Sequence, residues 1–214
     1  MSFDLYKKRL LSYGNDDKDV VLNNTQHMIN KSFADSFGYS VVKIDDVDTE
    51  VVIINKDDST QKELLLRPNQ TTKKGATVFI GTQYYLVTDF NGNGINQKAK
   101  IKLCNNILTL KGNPITVTKT NDFGEEYEEI ISYDTIEIPC IAETQIIFQD
   151  QKREQAINLP EGRINVTIPY TEHEDITINK EFEMYGEKYK IIGIDYTQSI
   201  NKEGLIIIKG QKVV

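Results

Sequence analysis

Hydrophobic and polar positions change period once along this chain. From Asp17 to Phe33 the apolar positions Leu22, Ile29 and Phe33 fall on one thin helical stripe, with Gln26 between them. Asn15, Asp16 and Asp17 supply a cap and favourable charge for that helix. A shorter helix is expected over 4–11, stopped by Gly14. From Tyr39 onward the period shortens to that of strands. Tyr39–Ile44, Glu50–Asn55, Glu63–Arg67 and Lys98–Leu103 are rich in β-branched and aliphatic residues and are separated by polar turns. Asn106–Lys111, Ile115–Lys119, Ile130–Cys140, Ile146–Phe148, Arg163–Ile168 and Gly204–Lys209 continue the series.

One pattern occurs twice. Gly81-x-x-Tyr84-x-Leu86-Val87 aligns with Gly186-x-x-Tyr189-x-Ile191-Ile192, 105 positions further on. Each glycine sits between two β-rich runs, where a hairpin requires positive φ. The spacing predicts a mainly β protein. Its parts are a helical N-terminal arm (1–38), a first β-barrel-like module (39–103), an inserted β-hairpin (104–140) and a second β-barrel-like module (141–214). The thin stripe cannot build a core alone, so Leu22, Ile29 and Phe33 are expected to dock on another chain. Tyr185 and Tyr189 on the second hairpin are expected at an interface, the alternative being that they cap a barrel core.

At 214 residues the chain can bury a sizeable core without disulfides. It has no apolar run long enough to cross a bilayer, and 1–11 has no sustained apolar stretch of the secretory kind. Cys104 and Cys140 lack metal-ligand spacing and are expected as free, structural thiols. The net charge of −7 argues against a protein that grips phosphates, though not against one that surrounds DNA and repels it.

Chemistry is sparse. Asp89-x-Asn91-x-Asn93-Gly94 matches the first half of a calcium loop, but its twelfth position is Lys100 where a bidentate Glu is needed. His173 lies among Glu172, Glu174 and Asp175, which reads as a solvated acidic turn before it reads as a metal site. No nucleophile elbow, P-loop or dinucleotide fingerprint is present. The expectation is a non-enzyme without cofactor or metal. The hairpin tip carries Asp122, Glu125, Glu126, Glu128 and Glu129 and no basic residue. Such a tip suits a DNA channel wall or a contact with a basic neighbour.

The order of these signals resembles neck proteins of tailed bacteriophages of Gram-positive hosts, the small head-completion or stopper proteins. The resemblance rests on the two G-x-x-Y hairpins, on Tyr6–Leu10, on Ser32–Tyr39, on Cys104-Asn105-Asn106-x-Leu108 and on Pro139-Cys140-Ile141. It implies a virion protein, made in the host cytoplasm, that forms a ring of about six or twelve copies. That ring would bind the portal or adaptor and the tail, and would continue the DNA channel without specific DNA binding or any membrane. A tail or baseplate component is the nearest alternative. An intracellular ligand-binding β-protein is the alternative from another class, which a closed pocket with convergent polar groups would favour.

Overall fold

The computed structural model describes residues 17–121, 123–150, 153–158 and 162–213. The helix expected over 4–11 lies outside them, as does Asp122. The chain forms two compact units that divide between Leu103 and Cys104.

The first unit opens with helix α1 (Asp17–Ser32) and a 3-10 turn (Phe33–Asp35). Six strands follow: β1 (Tyr39–Ile44), β2 (Val47–Asn55), β3 (Gln61–Leu66), β4 (Thr77–Ile80), β5 (Gln83–Asn91) and β6 (Lys98–Leu103). They close into an antiparallel barrel of order β1-β2-β3-β6-β5-β4. Closure is made by Lys43↔Phe79 and Ile44↔Val78, extended by the Asp45 amide donating to the Thr77 carbonyl at 2.9 Å. Alternation along each strand sends Val42, Ile44, Leu64, Leu66, Val78, Tyr85 and Ile101 inward to one core.

The second unit contains β7 (Asn106–Thr120), β8 (Glu126–Glu143), β11 (Arg163–Pro169), β12 (Glu181–Met184), β13 (Glu187–Asp195) and β15 (Glu203–Lys212). Their order is β7-β8-β11-β15-β13-β12, the order of the barrel with each strand replaced by its counterpart. Two additions interrupt it. A two-stranded ribbon, β9 (Gln145–Asp150) with β10 (Arg153–Asn158), lies between the second and third strands in sequence, and short β14 (Ser199–Ile200) pairs with β15. Here the first and last strands of the order, β7 and β12, lie side by side without a hydrogen-bonded ladder. The second module is thus a curled antiparallel sheet with an open seam.

The repeat is real at the level of single hydrogen bonds, with an offset of 104 instead of the expected 105. Gly75 N–H donates to the Val87 carbonyl at 2.8 Å, and Asn179 N–H to the Ile191 carbonyl at 2.9 Å. Val87 and Ile191 return bonds to Ala76 and Lys180, and Ala76 and Lys180 donate to Lys73 and Thr177, each pair again 104 apart. Gly75 and Asn179 both have positive φ, and β5 and β13 are bulged at Thr88 and Ile192. The glycines misled the alignment because the turns differ. Gly81 is the first central residue of its turn, whereas Gly186 is the second, after Tyr185 at φ +55°. A one-residue slip exchanges the two faces of a strand. Hence Tyr85, not Tyr84, is the counterpart of Tyr189, and both are buried.

The stretch expected to be an insertion contributes its base to the second core. Leu108, Leu110, Ile138 and Cys140 pack in one cluster with Ile164, Phe182 and Ile208. Only the part beyond Lys111 and Thr135 projects. In the barrel, the equivalent hairpin turns at once through Asp45 and Asp46, both at positive φ.

Candidate functional site

Two features rise from this framework. One is the projecting ribbon of β7 and β8. From Lys111 to Thr120 it extends about 30 Å at strand rise. Every residue of 113–120 and 126–137 is exposed. Its tip is nonetheless ordered by one side chain: Asn121 Oδ1 accepts the amides of Phe123 (3.0 Å) and Glu125 (2.8 Å), and Asn121 Nδ2 donates to Glu125 Oε2 (3.0 Å). Phe123 stands at the apex, 91% exposed.

Register divides the ribbon's residues between its faces. Val117 and Lys119 oppose Glu129 and Tyr127 on one face, and Lys119 and Glu129 form an ion pair there. Thr116, Thr118 and Thr120 oppose Ile130, Glu128 and Glu126 on the other. The expected acidic tip is therefore split. Glu125 is held in the turn, Glu129 is neutralised by Lys119, and Glu126 and Glu128 line the threonine face. Large apolar side chains accompany them: Ile115, Val117, Tyr127, Ile130, Ile131 and Tyr133 are all exposed.

The second feature is the open seam of the second unit. A cleft of about 510 Å³ runs between β7 and β12, floored by Leu108, Leu110, Ile176, Phe182, Ile191 and Ile208. Asp134, Asp175, Glu181 and Glu183 rim it, with Lys111 and Lys180. The Lys111 amide, counterpart of the Asp45 amide that helps close the barrel, donates to Asp175 Oδ2 at 3.1 Å. His173 Nδ1 accepts the Asp175 amide at 3.1 Å, which makes the acidic turn a brace for β7. Among the described residues no three His, Cys, Asp or Glu side chains converge as a metal site. Asp89, first residue of the calcium-loop lookalike, pairs with Lys100 at 3.1 Å. Burial pushes the pKa of the Cys104 and Cys140 thiols up to about 12, which disfavours the thiolate.

Other expected interface residues separate. Phe33 is 4% exposed, under the Arg67 guanidinium (4.7 Å) and edge-on to Tyr39 (6.3 Å). Arg67 also donates to the Asn30 carbonyl at 2.8 Å and pairs with Glu50. Phe33 therefore anchors the arm to its own barrel and is not free for another chain. Ile29 is half-buried, while Leu22 is exposed together with Val21 and Met28. Tyr189 stacks on Phe182 at 5.7 Å inside the second core, which removes it from the interface set. Tyr185, at the turn, is exposed. The exposed apolar residues of the ribbon are a candidate surface that no expectation from the sequence included. At 15 and 18 residues, β7 and β8 are far longer than the strands of a small barrel.

Among the described residues no helix is long and apolar enough to cross a membrane. The chain is 29% identical over 211 residues to the SPbeta prophage-derived uncharacterized protein YomX of Bacillus subtilis (strain 168), covering 94% of this chain and 97% of that protein. Residues 93–211 match the family described as the YomX C-terminal domain. That span holds the open-seam sheet but for the last residue of β15, the ribbon and the last strand of the barrel, more than half of the sequence, and the chain belongs to the YomX C-terminal domain family.

Proposed function

We propose that the protein is a virion structural component of a tailed phage, a ring in the neck that connects the portal to the tail and continues the DNA channel. The relative is a prophage product, which supports a phage role for this chain. The observation that carries the structural reading is the ribbon. A two-stranded extension exposed on both faces is marginal in water by itself, and it is retained at the cost of exposed isoleucine, valine and tyrosine. Such a surface is made to be covered. Assembly with further copies, with a portal or adaptor ring and with tail proteins would cover it. Glu126 and Glu128, which have no lysine across the ribbon, would repel phosphates if that face lined a channel.

The seam cleft supports a ligand-binding reading instead, since its floor is apolar and its rim polar. One experiment separates these readings. The gene is tagged in its phage, particles are purified, and the tag is located by gold labelling in the electron microscope. The neck reading expects label at the head–tail junction and tailless heads when the gene is deleted. Label at the tail tip gives the baseplate alternative. Particles free of the protein, and assembled normally without it, overturn both and leave the cleft as the working site.

A further inference from the structure

We infer that the ribbons of neighbouring copies pair edge to edge, β7 of one copy to β8 of the next, in a head-to-tail array. The occupant of the unpartnered ribbon is thus a second copy of this chain. This rests on reading the ribbon as an assembly surface and adds the polarity of the contact.

Among the described residues both edges of the ribbon are open. β7 is the last strand of its sheet, and β8 meets β11 only through Ile141, Ala142 and Glu143. Open edges of this length are commonly blunted by prolines, lysines or bulges. Beyond the base, β7 has Pro114 and one irregularity of register near the root, a second irregularity between Ile115 and Thr116 halfway out, and Lys119 near the tip. The outer half is a regular two-stranded ladder, and no strand among the described residues pairs with either of its edges.

Charge then selects the partner edge. Between Asn106 and Thr120, β7 carries Lys111 and Lys119 and no acidic residue. Between Glu126 and Glu137, β8 carries Glu126, Glu128, Glu129, Asp134 and Glu137 and no basic residue. A two-fold contact through β8 would set acids beside acids, and one through β7 would set lysines together; like charges opposite one another destabilise a sheet. Only β7 against β8 joins opposite signs. Ribbons that point the same way also place an outgoing β7 beside a returning β8, which is the antiparallel arrangement. At equal height, Lys119 of one copy stands level with Tyr127 of the next and on the same face as its Glu129, while Glu126 and Glu128 of the next copy lie beside the threonine face. A contact that uses two different edges repeats, and closes into a ring or runs on as a filament.

The test uses the full chain and analytical ultracentrifugation with native mass spectrometry. An acidic variant, Lys111→Glu/Lys119→Glu/Glu129→Gln, makes both edges negative while avoiding a clash inside the ribbon. A basic variant, Glu126→Lys/Glu128→Lys/Asp134→Lys, makes the outer ribbon positive on both edges. Wild type is expected to form higher oligomers, and each variant alone to lose at least tenfold in assembly while keeping its circular dichroism spectrum. Mixed in equal amounts, the two variants are expected to recover alternating higher oligomers. Recovery of one-to-one heterodimers only would overturn the head-to-tail contact in favour of a two-fold one. Undiminished assembly of each variant, or a wild type monomeric at every concentration, would overturn ribbon pairing altogether. Neither of those last results touches the location of the protein in the particle, which the gold label reads independently.

Discussion

Thr72 shows how the repeat can be used to read a single residue. Its hydroxyl is buried without a hydrogen-bond partner among the described residues. Its counterpart 104 positions on is Ile176, a member of the second core. An unsatisfied buried hydroxyl costs about 1–3 kcal/mol. Thr72→Val removes it in nearly the same shape, so urea unfolding should show a gain of roughly 1 kcal/mol. An unchanged or lowered midpoint would mean that the hydroxyl is satisfied in solution. Glu63 gives a pH dependence. A hydrogen bond from Lys56 holds its carboxyl below the ordinary 4.5, and Lys56 and Lys98 pair with it at 2.6 and 3.6 Å. A lowered folded pKa contributes stability that is fully present above 4.5 and is lost as pH falls through the folded value. Glu63→Gln should therefore lower the melting temperature near neutrality, by less than about 1 kcal/mol of stability, and flatten the acid limb of its pH profile. Identical acid limbs for both proteins would remove Glu63 from the account.

At the scale of elements, the two modules solve one packing problem in opposite ways. The register places Ile101 of β6 and Gly210 of β15 at equivalent points, each paired with the counterpart residue Val87 or Ile191. The barrel holds Ile101 and Val78 in one core cluster. The second sheet sets Gly210 with Phe182, the counterpart of Val78. A Cβ on Gly210 would stand 2.8 Å from Phe182 Cζ and 2.9 Å from Ile164 Cγ2. Gly210→Ala should cost about 1–3 kcal/mol by overpacking, and Phe182→Leu in the same chain should recover part of that cost. Simple additivity in a double-mutant cycle would show that the two positions do not share space. Strand positions were legible in the sequence because each module presents its alternation plainly between turn residues. The repeat was legible too, but its offset was not: Tyr84 and Tyr85 are adjacent, only one faces inward, and the two hairpins place glycine at different turn positions. Phe33 looked like part of an exposed stripe because its partners, Tyr39 and Arg67, come from beyond the helix. No local pattern reports a contact of that kind.

For the whole molecule, the division of labour lies between cores that close and a ribbon that does not. Each unit has its own apolar cluster, and neither cluster uses any residue of 112–135. The barrel shows what the second module would be without the extension, since its β1–β2 hairpin turns in two residues after Ile44. Replacing 111–135 of the full chain by the pair Asp-Asp would therefore rebuild that tight turn between Leu110 and Ile136. The Lys111 side-chain contact with Tyr133 would go with the excised segment, while the first Asp supplies an amide where that of Lys111 donates to Asp175. The shortened chain should keep a cooperative unfolding transition, with stability changed by no more than about 1–2 kcal/mol, because exposed strand residues away from a core contribute little. It should also gain solubility, having lost Ile115, Val117, Ile130 and Ile131 from its surface. If the ribbon is the assembly surface, the same chain should sediment as a monomer and fail to complement a phage that lacks the gene. A shortened chain that still assembles and complements would place the assembly surface on the units themselves. One that fails to fold would show that the ribbon holds β7 and β8 in register at their base.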